Sequence, residues 1–293
     1  MSPPAPEWLI ATVRQAKRGH GVENANYTKS LLLNLKLPTV CESAQCPNRG
    51  ECFSHKTATL LILGDICTRG CAFCAVKRGR PLGPPDEDEP ERLAQVVTGL
   101  GLRHVVITSV TRDDLPDGGA NHYVQVVRTL KERCPGVTVE LLVPDFSGSD
   151  EALATVLEKA QPEILAHNLE TIPRLYPQVR QGADYHRSRT LLKKVKGISP
   201  EVITKSGLML GLGEKDWEVE EVLWDLRGAG CDMLTLGQYL APSLAHTPVA
   251  GYVTLEEFVA WRQKALDMGF KSVAAGPLVR SSYKASVFFE ELR

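Results

Sequence analysis

No apolar stretch in this sequence approaches the roughly 18 residues that a membrane-crossing helix needs, so no membrane span is expected. Residues 1–10 have neither the charged region nor the apolar core of a secretory signal. An excess of one charge is also missing: 34 Lys and Arg face 35 Asp and Glu, for a formal net charge of −1. That balance argues against bulk nucleic-acid binding, which needs a basic surface, and leaves only local basic patches open. No internal repeat, low-complexity run or linker marks a second independent domain. Eight cysteines in 293 residues are too sparse for a disulfide-built miniprotein, and the compartment expected from that usage is a reducing cytoplasm.

What is present is the material of an ordinary core, with 43% hydrophobic and 24% charged residues. Residues 1–58 read as irregular, with helical pieces at 8–17 and 27–35. From residue 59 the pattern becomes regular. Short apolar runs at 59–64, 104–109, 137–143, 163–168, 202–210, 232–236 and 271–275 read as buried strands. Helical stretches at 91–100, 121–133, 150–159, 188–196, 215–227 and 255–268 alternate with them. Alternation of this kind implies βαβ units and a parallel sheet covered on both faces. The expected class is α/β, a partial (β/α)6 TIM-like barrel at 59–270, with an N-terminal extension at 1–58 and a C-terminal segment at 271–293. In barrels the functional groups gather on loops leaving the strand C-termini. The acidic run at 86–91 reads as a solvated helix entry, and Pro116-Asp117-Gly118-Gly119 as a turn.

Six of the eight cysteines fall between positions 41 and 74. Cys67, Cys71 and Cys74 share one short loop after the first strand; Cys41, Cys46 and Cys52 precede it. Soft thiolates in threes suit iron–sulfur clusters, and each trio is one ligand short of the four that a cubane uses. Zinc is the rival, but structural zinc takes paired knuckles and four protein ligands, and no histidine stands at knuckle spacing here. Disulfides are the bland alternative. Cys134 and Cys231 lie in helix-to-strand connections and read as small buried residues.

The spacing Cys67-x3-Cys71-x2-Cys74, with Phe73 before the last cysteine, resembles the radical S-adenosylmethionine (SAM) superfamily. The wider pattern is similar to the lipoyl synthase family nearly end to end. The segments that carry it are TVCESAQCPNRGEC (39–52), LGDICTRGCAFCAV (63–76), TSVTRDDLPDGGA (108–120), HNLETIPRLYPQVR (167–180), TKSGLMLGLGE (204–214), GQYLAPS (237–243) and GPLVRSSYKA (276–285). Ala241, Leu244 and Arg189 depart from the usual pattern.

The resemblance implies a barrel of radical SAM type and two [4Fe–4S] clusters. One is held by Cys67, Cys71 and Cys74 and binds SAM; the other, auxiliary, is held by Cys41, Cys46 and Cys52. Its fourth ligand would be a serine of Arg280-Ser281-Ser282-Tyr283, carried here to Ser282 with Ser281 the alternative. The implied reaction is insertion of two sulfur atoms, at C6 and C8 of a protein-bound octanoyl chain, with the auxiliary cluster as sulfur source. The implied partners are octanoylated carrier domains (the 2-oxoacid dehydrogenase E2 and the glycine-cleavage H protein) and a flavodoxin- or ferredoxin-type donor. No nucleic acid or membrane partner is expected.

SAM has an ammonium, a carboxylate, a ribose and an adenine to satisfy. Asn168 and Glu170 are candidates for the ribose, and Lys205 or Arg187 for the carboxylate. Thr108, Ser109 and Arg112 face either SAM or substrate. Gly207, Gly211 and Gly213 allow close backbone approach or simply make turns. Two rival classes are a tRNA methylthiotransferase, which would carry an RNA-binding domain not seen here, and a non-catalytic iron–sulfur or zinc module.

Overall fold

The computed structural model describes residues 2–19 and 21–292. Four helices come first: α1 (Glu7–Arg18), α2 (Val22–Asn34), α3 (Val40–Ser43) and α4 (Arg49–Ser54). Strand β1 (Thr59–Ile62) opens the regular part, and a short ribbon of β2 (Ile66–Cys67) and β3 (Lys77–Arg78) brackets the cysteine loop. Then come α5 (Glu89–Leu100), β4 (His104–Ser109), α6 (Ala120–Arg133), β5 (Thr138–Leu142), α7 (Asp150–Thr155) and β6 (Ile164–Ala166). The chain continues through α8 (Tyr176–Val179), α9 (Tyr185–Ile198), β7 (Ile203–Leu210), α10 (Asp216–Gly228), β8 (Met233–Gln238), α11 (Leu255–Asp267), β9 (Ser272–Gly276) and α12 (Ala285–Glu290).

The chain divides into two compact units. The N-terminal unit holds Thr12–Arg69 and Ala75–Ile164. Within it β1, β4 and β5 form a parallel ladder, Thr59 opposite Val106 and His104 opposite Thr138. All four residues of β1 are buried, as a strand covered on both faces requires. Helix α5 covers the ladder with Leu93, Val96, Val97 and Leu100; α6 adds Tyr123, Val126, Val127 and Leu130. Each such side chain contributes about 1.5–3 kcal/mol of burial. Pro90 in the first turn and Gly101 in the left-handed region bound α5.

The C-terminal unit holds Gly70–Cys74, Leu165 onward and the first residues through Ala11. Its parallel ladder is β7, β8 and β9, with Lys205 opposite Met233 and Met233 opposite Ser272. Val219, Val222, Leu223 and Leu226 of α10 join Leu208 and Leu210 of β7 in one core cluster. Thr254 and Glu257 close a capping box at the start of α11.

Differences from the sequence reading have local causes. Helix α2 starts at Val22 rather than 27, after Gly21 at φ 99°. The helix expected over 150–159 is α-helical only to Thr155 and then widens into a π-turn that Gln161 ends at φ 53°. Helix α9 starts at Tyr185 rather than 188 because the Asp184 carboxylate accepts from the Arg187 N–H at 2.7 Å.

Candidate active site

Strand β1 leaves its sheet through Leu63 and Gly64, at φ 67° and 90°. A left-handed leucine is strained and needs outside support. Its N–H donates to Glu89 Oε2 at 2.9 Å, and its carbonyl accepts from Arg112 Nη1 at 3.3 Å. Its side chain packs on Gly119, where a Cβ would come within 2.4 Å of Leu63 Cδ1. Glu89 is 3% exposed and also pairs with His122 Nε2 at 2.6 Å. This corrects the reading of 86–91 as wholly solvated: Glu89 is an internal brace. Arg112 is likewise internal, bonded to Asp114 at 2.9 and 2.8 Å and to the Gly83 carbonyl at 2.8 Å.

The cysteine loop follows that turn, and each half is held by its own unit. In the N-terminal unit, Thr111 N–H points at Cys67 Sγ from 3.4 Å. Arg69 grips Asp113 through Nε and Nη2, both at 2.8 Å, and reaches Asp145 at 2.7 Å. Burial alone would lower the Arg69 pKa, but the two carboxylates outweigh it and raise it; Arg69 in turn holds the Asp113 carboxyl below its ordinary range despite desolvation. In the C-terminal unit, Ala72 N–H donates to Val179 O and Ala72 O accepts from Thr247 N–H, each at 2.9 Å. Cys74 N–H closes a turn on Cys71 O at 3.0 Å, and Phe73 packs against the core cluster.

Cys41, Cys46 and Cys52 all lie in the N-terminal unit. Cys41 sits at the start of α3, where Thr39 caps the helix by accepting from Glu42 N–H at 3.2 Å. Cys46 N–H returns to Cys41 O at 3.0 Å through Gln45 at φ 52°, and Cys52 is on α4. Gly50 lets α4 press on the end of α1; a Cβ there would stand 2.1 Å from Lys17 O. Burial, then the neighbouring Cys46 thiolate, pushes the Cys41 thiol up to about 11. Such a thiol keeps its proton at neutral pH unless a cationic centre replaces it, and a metal core does that. Among the described residues, no three His, Cys, Asp or Glu side chains are gathered as around a single metal ion. In a cluster each cysteine takes a separate iron, so the donors stand farther apart. All eight cysteines are free thiols, and the donor set of each trio fits an iron–sulfur core.

The C-terminal unit holds the ribose candidates Asn168 and Glu170. Glu170 is left-handed at φ 67° and sits between two ladder bonds, its N–H to Gly207 O at 2.9 Å and its carbonyl to Met209 N–H at 2.8 Å. Asn168 Nδ2 donates to Glu170 Oε1 at 3.0 Å, and Asn168 Oδ1 accepts from Ser281 Oγ at 2.8 Å. Desolvation pushes the Glu170 carboxyl above its ordinary range, against the opposing pull of Arg180, Asn168 and Arg280. The 279–281 segment lies directly on β8 because Gly237 has no side chain; a Cβ there would stand 2.1 Å from Val279 O. The structure therefore brings Asn168, Glu170 and Ser281 together.

Other candidates are placed differently. Lys205 is 1% exposed on β7. Arg187 folds back on the Gly182 carbonyl at 3.1 Å. Thr108 donates to Leu142 O at 3.0 Å, and the Ser109 hydroxyl oxygen is buried. Gly207 faces protein, its missing Cβ lying 2.4 Å from Thr235 Oγ1 and 3.1 Å from Asn168 Oδ1. Gly211 turns the chain out of β7 at φ 98°. Cys231 is fully buried, its thiol pushed up to about 12 by burial, and Cys134 Sγ lies 3.4 Å from Thr98 Oγ1. Arg69, Glu89 and Arg180 were not singled out by the sequence. Arg69, between two cysteines of one loop, had at least a suggestive position.

Comparison with known proteins decides the family. The radical SAM superfamily profile matches residues 61–226. The chain is 56% identical to the lipoyl synthase of Caldanaerobacter subterraneus subsp. tengcongensis over 282 residues, covering 96% of each chain. It is 50% identical to that of Thermus thermophilus over 287 residues, covering 98% of this chain and 87% of the relative. It belongs to the lipoyl synthase family. The chain is therefore a radical SAM enzyme, and the family's use of SAM and a [4Fe–4S] cluster comes with membership. Two solved structures share its fold. A maturase of the [FeFe]-hydrogenase has a TM-score of 0.59 at 14% identity, covering 98% of this chain and 70% of that one. Methylornithine synthase has a TM-score of 0.55 at 17% identity, covering 89% and 77%. The expected α/β fold of radical SAM type is thus the observed one. No helix among the described residues is long and apolar enough to cross a membrane.

Proposed function

We propose that this enzyme inserts two sulfur atoms, at C6 and C8 of an octanoyl chain carried on a protein lysine. The observation that carries the reading is full-length identity above 50% to lipoyl synthases, with both cysteine trios inside the matched length. Cys67, Cys71 and Cys74 would hold the cluster that binds SAM. Cys41, Cys46 and Cys52, on the N-terminal extension at 1–58, would hold a second [4Fe–4S] cluster with Ser282 from the 271–293 segment. Ser281, whose hydroxyl donates to Asn168 Oδ1 at 2.8 Å, is the alternative ligand. When bound, the SAM cluster supplies the electron that splits SAM to methionine and a 5′-deoxyadenosyl radical, and the second cluster supplies sulfur.

The chain's own residues bind and orient. Asn168 and Glu170 present an amide and a carboxyl from fixed backbone, suited to the ribose hydroxyls. Lys205 or Arg187 is the proposed partner of the SAM carboxylate, and Thr108 and Ser109 are proposed to face SAM or substrate. A serine oxygen is harder than thiolate and matches a cluster iron less well, so that corner would open first. The proposed partners are octanoylated carrier domains of the 2-oxoacid dehydrogenase E2 and glycine-cleavage H type, with a flavodoxin- or ferredoxin-type donor, in the cytoplasm. The test is anaerobic incubation of reconstituted enzyme with an octanoylated carrier peptide, SAM and dithionite, followed by mass spectrometry. The expected product carries two added sulfurs and appears with two equivalents of 5′-deoxyadenosine. Zinc in place of iron and sulfide, or a peptide unchanged in mass while 5′-deoxyadenosine accumulates, sinks the reading.

A further inference from the structure

Arg180 closes α8, its N–H bonded to Tyr176 O at 2.9 Å. Its guanidinium has two hydrogen-bond partners, both neutral: Tyr176 Oη at 2.9 Å and Ser188 Oγ at 3.1 Å. Among the described residues, no carboxylate stands within ion-pair distance of it. It also lies 5.5 Å over the Tyr176 ring. These supports are rigid. Ser188 and Tyr176 are buried, Tyr176 Oη donates to Leu169 O at 2.8 Å, and its ring meets Tyr185 edge-on at 5.5 Å.

A desolvated cation that the fold holds so firmly, yet leaves without a direct counter-ion, calls for an anion to complete it. Glu170 supplies part of that charge from beyond ion-pair distance, and the cysteine loop lies against the same end of α8. Val179, the residue before Arg180, accepts the Ala72 N–H at 2.9 Å, which pins the loop segment carrying Cys71 to the end of α8. Burial would lower the Arg180 pKa, and its electrostatic neighbours outweigh that: Tyr176 first, then Glu170, then Cys71.

We propose that Arg180 is a positioning residue for the cluster at Cys67, Cys71 and Cys74, and that its fixed positive charge favours the reduced form of that cluster. The inference rests on the ligand assignment made under the proposed function. Its physics is general. Adding an electron to a core already ringed by thiolates deepens a negative charge, and a fixed cation in a low-dielectric surrounding stabilises the more negative state.

The experiment is an EPR-monitored redox titration of the reconstituted full-length protein, following the cluster signal that changes when SAM is added. Equilibrium dialysis of SAM and iron and sulfide analysis accompany it. In R180Q the iron and sulfide content should persist. The ratio of reduced to oxidised SAM-responsive cluster at a fixed poise should fall at least about threefold. R180K, which keeps the charge, should stay close to wild type. Y176F, which removes one hydroxyl anchor, should shift the same way by less. An R180Q protein that titrates like wild type overturns the inference. So does weaker SAM binding with an unchanged titration, which would make Arg180 a clamp on the SAM carboxylate. If R180Q loses its iron, Y176F decides: a downward shift supports the role and a wild-type titration overturns it. A wild-type protein with iron but no SAM-responsive signal defeats the ligand assignment itself, and the inference with it.

Discussion

Cys41 and Cys52 ride on short helices and Cys46 on the tight turn between them, all in one unit and within a dozen residues of one another. Cys67 ends the short ribbon strand β2 and Cys71 and Cys74 lie on irregular backbone, and their supports come from residues tens of positions away: Asp113 and Asp145 for one half of the loop, Val179 and Thr247 for the other. The first trio by position is held by local structure, the other by long-range contacts. Regular structure satisfies its own polar groups, whereas a loop depends on side chains that grip it. Damage to long-range contacts should therefore fall on the cluster proposed at Cys67, Cys71 and Cys74 and spare the one proposed at Cys41, Cys46 and Cys52.

The strongest way to separate the trios is to remove a ligand from each. Cys71→Ala should abolish 5′-deoxyadenosine formation and all product. Cys46→Ala should leave 5′-deoxyadenosine formation in place and lose sulfur insertion. Chromatography of the nucleoside beside mass spectrometry of the peptide reads both, and a lipoyl product from the Cys46 variant would remove the second trio from the chemistry.

Arg69→Ala tests the long-range support directly. It removes the ion-pair partner of Asp145, whose side chain is fully buried, and loss of one partner from a buried pair costs about 3 kcal/mol or more. Urea unfolding should show that loss. Iron analysis should show preferential loss from the SAM cluster, with sulfide still present at the other. Equal loss from both would mean that the two sites do not differ in the way argued above.

Gly207→Ala should act on SAM alone. The new Cβ must displace the Thr235 hydroxyl and crowd Asn168 and Ser281, and Thr235 is β-branched and stiff. Disturbing the Asn168 pairings should weaken SAM binding about tenfold, which corresponds to about 1.4 kcal/mol. Both proposed clusters should keep their iron. Unchanged SAM affinity would remove Asn168 from the nucleoside site.

How much of this the sequence disclosed follows the same local-versus-distant line. Strands such as 104–109 were legible because a run of buried apolar residues is a local signal. Helices α3 and α4 were not, since four and six residues show no helical period. The cysteines were visible because thiolate spacing is itself chemistry. Arg69, Glu89 and Arg180 were invisible for the opposite reason. Each looks like any surface charge in its own segment and gains its role from partners 26 to 76 residues away or from a loop docked against it. Glu89 shows the point: its acidic neighbours Asp86, Glu87 and Asp88 are exposed, and only the fold turns that one carboxylate inward.

The smallest expected effect concerns pH. Arg69 holds Asp113 below its ordinary value of 3.8, against desolvation. A carboxyl lowered in the folded state contributes stability that is fully present above its unfolded pKa and is lost as pH falls through the folded value. The Arg69–Asp113 contribution should therefore be constant between about pH 5 and 9 and fade only below 3.8. Asp113→Asn removes the charge at every pH. Thermal unfolding of wild type and this variant should differ by a fixed amount across the neutral range, and the gap should narrow only in acid. The ribbon that carries Cys67 would feel the change first, through Thr68, whose hydroxyl lies 3.1 Å from Asp113 Oδ2. A gap that moves with pH near neutrality would show that another titrating group governs the grip on this loop.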